Sequence, residues 1–519
     1  MKSKRVILAA FLVFALLFTA CSNQNGSSVP EKTSDLTTEN SNEPSDASDS
    51  NNSVLKDGVM TELTIVMPGG NSSPASLSEV EAAMNEIMKD TIDATIKFQI
   101  LEWGVFGDQT NLMLSGGENK SLVFTWSSSK NYANSRQVQP ITDIIKEFAP
   151  ETYELFEKYL GACEIGGELY GLPTFHEYAS AAGLVCRADV LSEINVSPDD
   201  INTWSDVENV LIKVREKYPD MNLLIPAEMN KGSLQYYNTG VFDILVSQLG
   251  VGAYADGSAD EIVNIYASDE YKEMATTAYD WNEKGYFISD ATTITDTRQE
   301  LLSAGNSFGY IGKIHPGTKT QEIRNAGQDI ETIIITDSIC ATADVNFAQY
   351  MVPTACDTPE KAVAFLNLLY TNSDMQNLMM YGIEGKDYIV KDAEKNIVGY
   401  PDGIDETTVG WSNEPWLSGN ASISSVWETD PDTIWEDYLE FNDSAVLSPL
   451  YGFSFDTSNV KSEVTAISNV ITKYDAVISS GYSEVESSIT TFNDELESAG
   501  IQKIIDEAKS QISNWKSTQ

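Results

Sequence analysis

Between Thr61 and Trp126 the apolar periodicity switches repeatedly between two and about 3.6 residues, and this limits the fold more than any other feature. Thr61-Glu62-Leu63-Thr64-Ile65-Val66-Met67 alternates and is rich in β-forming residues, which predicts a strand. Pro68-Gly69-Gly70-Asn71 follows as a turn. Ser78 to Asp90 carries apolar residues at helical spacing with acids early, which predicts a helix. Ala94 to Leu101 alternates again, Asp108 to Leu114 returns to helical spacing, and Leu122 to Thr125 is a short apolar strand leading into Trp126. Strand, helix, strand, helix, strand at this spacing predicts a parallel sheet covered by helices. Ligands of such sheets lie beyond the carboxyl ends of the strands. Gly69 to Asn71 and Trp126 to Ser128 therefore share one rim, which makes Asn71, Trp126 and Ser127 candidate ligand contacts.

The chain before Thr61 has a different character. Lys2, Lys4 and Arg5 precede an apolar run from Val6 to Phe18, and Phe18-Thr19-Ala20 leads to Cys21. This order predicts a secretory signal peptide over residues 1–20. The run falls short of the roughly 20 apolar residues a spanning helix needs. Small residues directly before a cysteine resemble the lipobox of bacterial lipoproteins, although Phe18 stands where leucine is usual. That resemblance implies a diacylated Cys21 as the mature N-terminus, on the outer face of the membrane of a Gram-positive bacterium. Residues 22–58 are rich in Ser, Asn, Asp, Glu and Pro and nearly lack large apolar side chains. Such a segment cannot offset its ordering entropy by burial, so residues 21–58 are expected to act as a flexible tether.

About 460 residues remain, enough for two or three domains. The net charge of −46 opposes nucleic-acid binding, which needs a Lys/Arg surface. The acids are spread along the chain, as solubility outside the cell would require. Cys163, Cys186, Cys340 and Cys356 lack metal-ligand spacing and form no disulfide framework; a Cys340–Cys356 pair stays open. Thiols of this kind in an exported protein point to an anaerobic source. His176 and His315 are the only histidines, and no nucleophilic triad or phosphate-cradling loop is recognisable. Acid-rich loops at Asp256 to Glu261 and Asp402 to Glu406 lack the spacing of a calcium loop. No cofactor and no metal are expected.

Tyr170-Gly171-Leu172-Pro173-Thr174-Phe175-His176-Glu177-Tyr178 is a Gly/Pro turn running into an aromatic loop, followed by a strand at Ala182 to Cys186. Thr203 caps a helix whose body runs to Lys217. Strands and helices alternate on to about residue 336, which predicts a second α/β lobe. The runs GGELYGLPTF at 166–175, TWSDVENVL at 203–211, NEKGYF at 282–287 and DTPEKAVAFLNLLYTN at 357–372 come in the order seen in family 1-like extracellular solute-binding proteins. Tyr381-Gly382-Ile383-Glu384-Gly385-Lys386-Asp387-Tyr388 and Gly452-Phe453-Ser454-Phe455-Asp456-Thr457, with an amphipathic ending through Trp515, resemble a lipoprotein subgroup whose C-terminal region is of unknown function. The resemblance covers roughly residues 60–517.

It implies an α/β fold of the two-lobed periplasmic-binding-protein type (type II, hinge-closing) with extra C-terminal helices. Lobe 1 would be 59–176 plus 337–395, and lobe 2 would be 177–336 plus 396–519 with the C-terminal helical region. It implies an ABC-importer receptor, expected as a monomer, that hands a solute to permease transmembrane subunits. A cleft that closes on a sugar needs flat apolar faces and a few placed polar groups. On that ground the candidates are Trp126, the crossing residues His176, Glu177 and Tyr178, the pair Tyr236 and Tyr237, and the cluster of Trp411, Trp416 and Asn420. Each has an alternative role in core or hinge packing, as Trp103 does. Glu384 is expected to secure its glycine-flanked turn. The expected ligand is a carbohydrate, an oligosaccharide in particular. Alternatives are a peptide or other small solute, or a surface glycoside hydrolase using two carboxylates about 5–10 Å apart.

Overall fold

A computed structural model of the chain describes residues 54–126, 129–246, 249–257, 261–289 and 291–517. The signal peptide, Cys21, nearly all of the tether, and Ser127 lie outside the described residues. The expected alternation is present. Strand β1 (Thr61–Gly69), helix α1 (Leu77–Ile92), strand β2 (Ala94–Glu102), helix α2 (Trp103–Ser115) and strand β3 (Leu122–Trp126) follow in order. β1 pairs in parallel with both β2 and β3, so all three end on one rim. The strands Ala348–Met351 and Gly171–Pro173 extend this sheet in antiparallel sense beyond β3. Helix α2 begins at Trp103, five positions before the expected start, and this seats Trp103 at the end of β2 instead of in a loop.

A second sheet has the strand order 330–334, 181–187, 307–314, 222–224. Ser307–Ile314 runs antiparallel to Ala181–Arg187 and parallel to Asn222–Leu224. The expected helix cap is made in full: Asp206 N donates to Thr203 Oγ1 at 3.2 Å, and Thr203 N donates to Asp206 Oδ2 at 3.0 Å. Separate hydrophobic cores underlie the two sheets, the first from Leu63 through Trp435 and the second from Leu184 through Ile512. The molecule is two-lobed because neither sheet lends its apolar face to the other. Helices Lys461–Ile478, Val485–Ala499 and Ile501–Lys516 place Ile467, Phe492, Leu496, Ile504 and Ala508 in the second core.

One expected division is redrawn. Residues 396–519 are expected in the second lobe, yet Val398, Trp411, Leu417, Ala421, Val426, Ile434 and Trp435 pack in the first core. The chain joins the second core only from Leu450. Three passages lie side by side between the cores: Ser180 bridges Ile339, and Ile339 and Cys340 pair with Val446 and Leu447. Ser180 Oγ donates to the half-buried Asp344 at 2.9 Å, and Ser448 Oγ donates to the buried Asp243. Burial pushes both carboxyls up, Asp243 to about 6. Cys163, Cys186, Cys340 and Cys356 are buried and unpaired, so the Cys340–Cys356 pair is not formed. Among the described residues no helix is long and apolar enough to cross a membrane.

Candidate functional site

The carboxyl ends of β1 and β2 open onto a cleft of about 810 Å³, and that of β3 onto an adjoining cavity of about 720 Å³. Trp103, Gln321, Glu414 and Trp416 line both. Trp103 and Trp126 meet edge-on at 5.3 Å between ring centroids, and Trp416 lies 5.7 Å from the first and 5.6 Å from the second. Phe347 backs the group at 5.5 Å from Trp126. Trp103 is 38% and Trp126 45% exposed, which is unusual for rings this well packed on their other sides. Here β2, β3 and the 415–417 turn deliver three tryptophans to one face.

Polar groups come from several segments. Helix Thr318–Ala326 of the second lobe supplies Gln321 and Arg324. Arg324 Nη1 donates to Thr429 Oγ1 at 2.8 Å and lies 3.3 Å from Asp430 Oδ1, which also accepts from Thr320 Oγ1 at 2.8 Å. His315 Nε2 lies 3.9 Å from Glu177 Oε1, and the Tyr438 hydroxyl lies 3.3 Å from His315 Nδ1. Burial first, then the nearby Glu177 charge, pushes the Tyr438 hydroxyl well up. The walls around Glu414 raise its carboxyl, and Arg324 partly opposes this.

The rim is fastened below by Asp387, which is 1% exposed. Its Oδ1 accepts from Ser76 Oγ at 2.7 Å and its Oδ2 from Ile383 N at 3.0 Å. Ser76 N in turn donates to Gly410 O at 3.0 Å. A side chain at Gly382 (φ 81°) or Gly410 would place its Cβ 2.6 or 2.7 Å from that carboxylate. This accounts for Gly382 of the motif and for Gly410. Glu384, expected to secure the turn, is exposed; Asp387 accepts the backbone N–H instead.

The sequence candidates separate into two groups. Asn71, Trp126, His176, Glu177 and Trp416 line the cleft system. His176 is nevertheless buried, its ring nitrogens 2.7 Å from Thr174 O and 2.9 Å from Asp344 O, so it joins two passages of the hinge. Trp411 forms the cleft's wall from beneath: it is 2% exposed, packs on Phe98 at 5.5 Å and donates Nε1–H to Met379 O at 2.9 Å. Tyr178 is buried and donates to Thr174 O at 2.7 Å. Asn420 is buried and donates to Tyr370 O at 2.9 Å. Tyr237 stacks on Trp204 at 4.6 Å within the second core. Tyr236 donates to Glu228 away from the cleft lining. For Trp411, Tyr178, Asn420, Tyr236 and Tyr237 the structure therefore favours packing, because each ring or amide is already matched inside the protein. Gln321, Arg324 and Tyr438 are not among the sequence candidates, Trp103 was expected to pack, and Glu414 entered only as part of the 411–416 cluster. Only Trp103 and Glu414 had a sequence signal, as an aromatic after a strand and an acid between two tryptophans.

Residues 449–517 match the family described as a domain of unknown function, DUF3502. A carbohydrate ABC transporter substrate-binding protein of Streptococcus pneumoniae serotype 4 is 27% identical over 450 residues, 85% of this chain and 89% of its own length. The crystal structure of the N-glycan transport solute binding protein NgtS from Streptococcus pneumoniae superposes with TM-score 0.75 at 25% identity, over 88% of this chain and 98% of that one. The chain has the two-lobed fold of these solute-binding proteins. Two further NgtS structures, in complex with Man1GlcNAc and Man5GlcNAc, superpose with this chain at TM-scores of 0.64 and 0.62 and 24% identity. They cover 87% and 88% of this chain and 98% of theirs.

Proposed function

We propose that this chain is a solute-binding protein, the extracellular receptor of an ABC importer, and captures an oligosaccharide between its lobes. The observation that carries the reading is the trio Trp103, Trp126 and Trp416, partly exposed on one lobe and faced by Gln321 and Arg324 of the other. Pyranose rings have apolar C–H faces and hydroxyl rims, and such a pair of walls suits both. Closure about the three side-by-side passages would be favoured by a ligand that touches both lobes, since only differential contact shifts such an equilibrium. NgtS is described as an N-glycan transport protein, and its complexes hold mannose–GlcNAc glycans. The same ligand class is proposed here.

Cys21 is proposed to carry the lipid that holds the receptor on the outer face of the membrane, with residues 22–58 as its tether. The closed monomer then docks on permease subunits, and the ligand leaves chemically unchanged. Calorimetry of the protein with Man5GlcNAc, followed by chromatography of the recovered glycan, tests this. Stoichiometric binding and intact glycan are expected. Release of free sugar would replace the receptor reading with that of a glycoside hydrolase.

A further inference from the structure

The second lobe reaches the cleft through a single segment. Among the described residues, its groups that line the two cavities are His315, Gly317, Gln321 and Arg324. Of these, Gln321 alone lines the cavity that holds Trp126. Helix Thr318–Ala326 presents separate rows of side chains, because residues four apart share a face. Thr318, Glu322 and Ala326 are buried, and Arg298 Nη2 of the second lobe donates to Glu322 Oε1 at 2.9 Å, so the helix belongs to that lobe. Thr320 and Arg324 face the first-lobe turn at 427–430, which Asp430 N closes by donating to Trp427 O at 2.8 Å. Thr320 Oγ1 lies 2.8 Å from Asp430 Oδ1 and 3.0 Å from Gly317 O, and its one proton favours the ionised acceptor. Arg324 is 44% exposed, so its pair with Asp430 at 3.3 Å adds little by itself. Gln321 stands in another row. It is exposed, and among the described residues no hydrogen bond holds its side-chain carboxamide.

We infer that Asp430 is a positioning residue for ligand capture: by holding the Thr320 and Arg324 row it sets Gln321 over the Trp103, Trp126 and Trp416 face, where the carboxamide bonds the hydroxyls of the stacked sugar. This rests on the oligosaccharide reading and deepens it. Tryptophan rings cover the apolar face of a pyranose, and its hydroxyl rim then needs polar groups from the facing wall. A carboxamide offers a donor and an acceptor side by side, which matches adjacent hydroxyls. A wall fixed before the ligand arrives lowers the ordering cost of binding. In this arrangement Arg324 serves the helix, and the neutral Gln321 is the second-lobe group that meets the sugar at the tryptophans. Asp430 itself lines the cleft, so direct contact with the ligand is the competing role, and the test must separate the two.

Man5GlcNAc is titrated calorimetrically into wild type, Gln321→Ala, Asp430→Ala, Asp430→Asn and the double variant Gln321→Ala with Asp430→Ala, with melting curves as a check on folding. Gln321→Ala should bind about tenfold more weakly than wild type. Asp430→Ala should lose about threefold. Asp430→Asn, which keeps an acceptor for Thr320, should lose less than Asp430→Ala. In the double variant the Asp430 loss should vanish and leave the affinity of Gln321→Ala alone, because one residue acts through the other. Losses that multiply to about thirtyfold in the double variant, or unchanged affinity in either single alanine variant, overturn this inference and leave the receptor reading standing. Failure of wild type to bind the glycan removes the mannose-glycan reading and this inference with it.

Discussion

Replacing Trp126 with alanine should weaken ligand binding while leaving a protein that still folds. Trp126 is 45% exposed, and with about 250 Å² for a tryptophan side chain this leaves roughly 110 Å² facing the cleft. A sugar ring covering about half of that removes roughly 55 Å² of apolar surface from water, worth about 1.4 kcal/mol. That is a tenfold change in Kd. The loss should be somewhat larger, because Trp103 and Trp416 each lean on Trp126 and lose a neighbour with it. Calorimetric titration of Trp126→Ala with Man5GlcNAc measures it, and thermal unfolding of the same sample shows whether the body is intact. A folded variant that binds as wild type does would refute the assignment of this face to the ligand.

Trp411→Ala should do the reverse. It empties a core site that is 2% exposed, at a cost of about 3–5 kcal/mol in stability. A lowered melting temperature is expected even without ligand, and an unchanged one would contradict its burial. Asp387→Asn keeps the shape but replaces an acceptor of the Ser76 or Ile383 hydrogen bond with a donor. Hydrogen exchange should quicken at residues 69–76 and 410–416, and no change there would remove Asp387 as the fastener of the rim. Asp243 carries its proton more tightly when folded, at about 6 against an ordinary 3.8, so its contribution is present at low pH and lost as pH rises through 6. Asp243→Asn should therefore gain up to about 3 kcal/mol at pH 7.5 and little at pH 4. Equal gains at both pH values would contradict it. Burial raises the thiols of all four body cysteines, Cys340 to about 12, so they should resist a thiol reagent until the protein unfolds.

What was legible in the sequence was local. The period-two runs at Thr61 and Ala94 and the short apolar run at Leu122 each became a strand of the first sheet, because nothing non-local competes with such patterns. The rim position of Asn71 and Trp126 followed from strand direction alone. The density of aromatics at 411–416 was a poorer guide. Trp411 and Trp416 are five residues apart, yet one faces Phe98 in the core and the other the cleft. That difference is set by the path of the 410–417 segment over β2 and is not written in composition. Asn420 and Tyr178 misled for a related reason: a buried polar group and a ligand-binding one look alike until their partners are known. The second lobe's share of the site was invisible, because Gln321 and Arg324 sit on a short polar helix like many solvated ones. The return of residues 398–435 to the first core was equally non-local, since it depends on where the third passage between lobes falls.

Small-angle scattering of the protein with and without saturating Man5GlcNAc reaches the shared premise of all these statements, that a sugar held by both halves draws them together. The radius of gyration should fall on addition of the glycan, and in Trp126→Ala the same fall should need about tenfold more glycan. Binding proven by calorimetry but accompanied by no compaction would contradict capture between closing lobes.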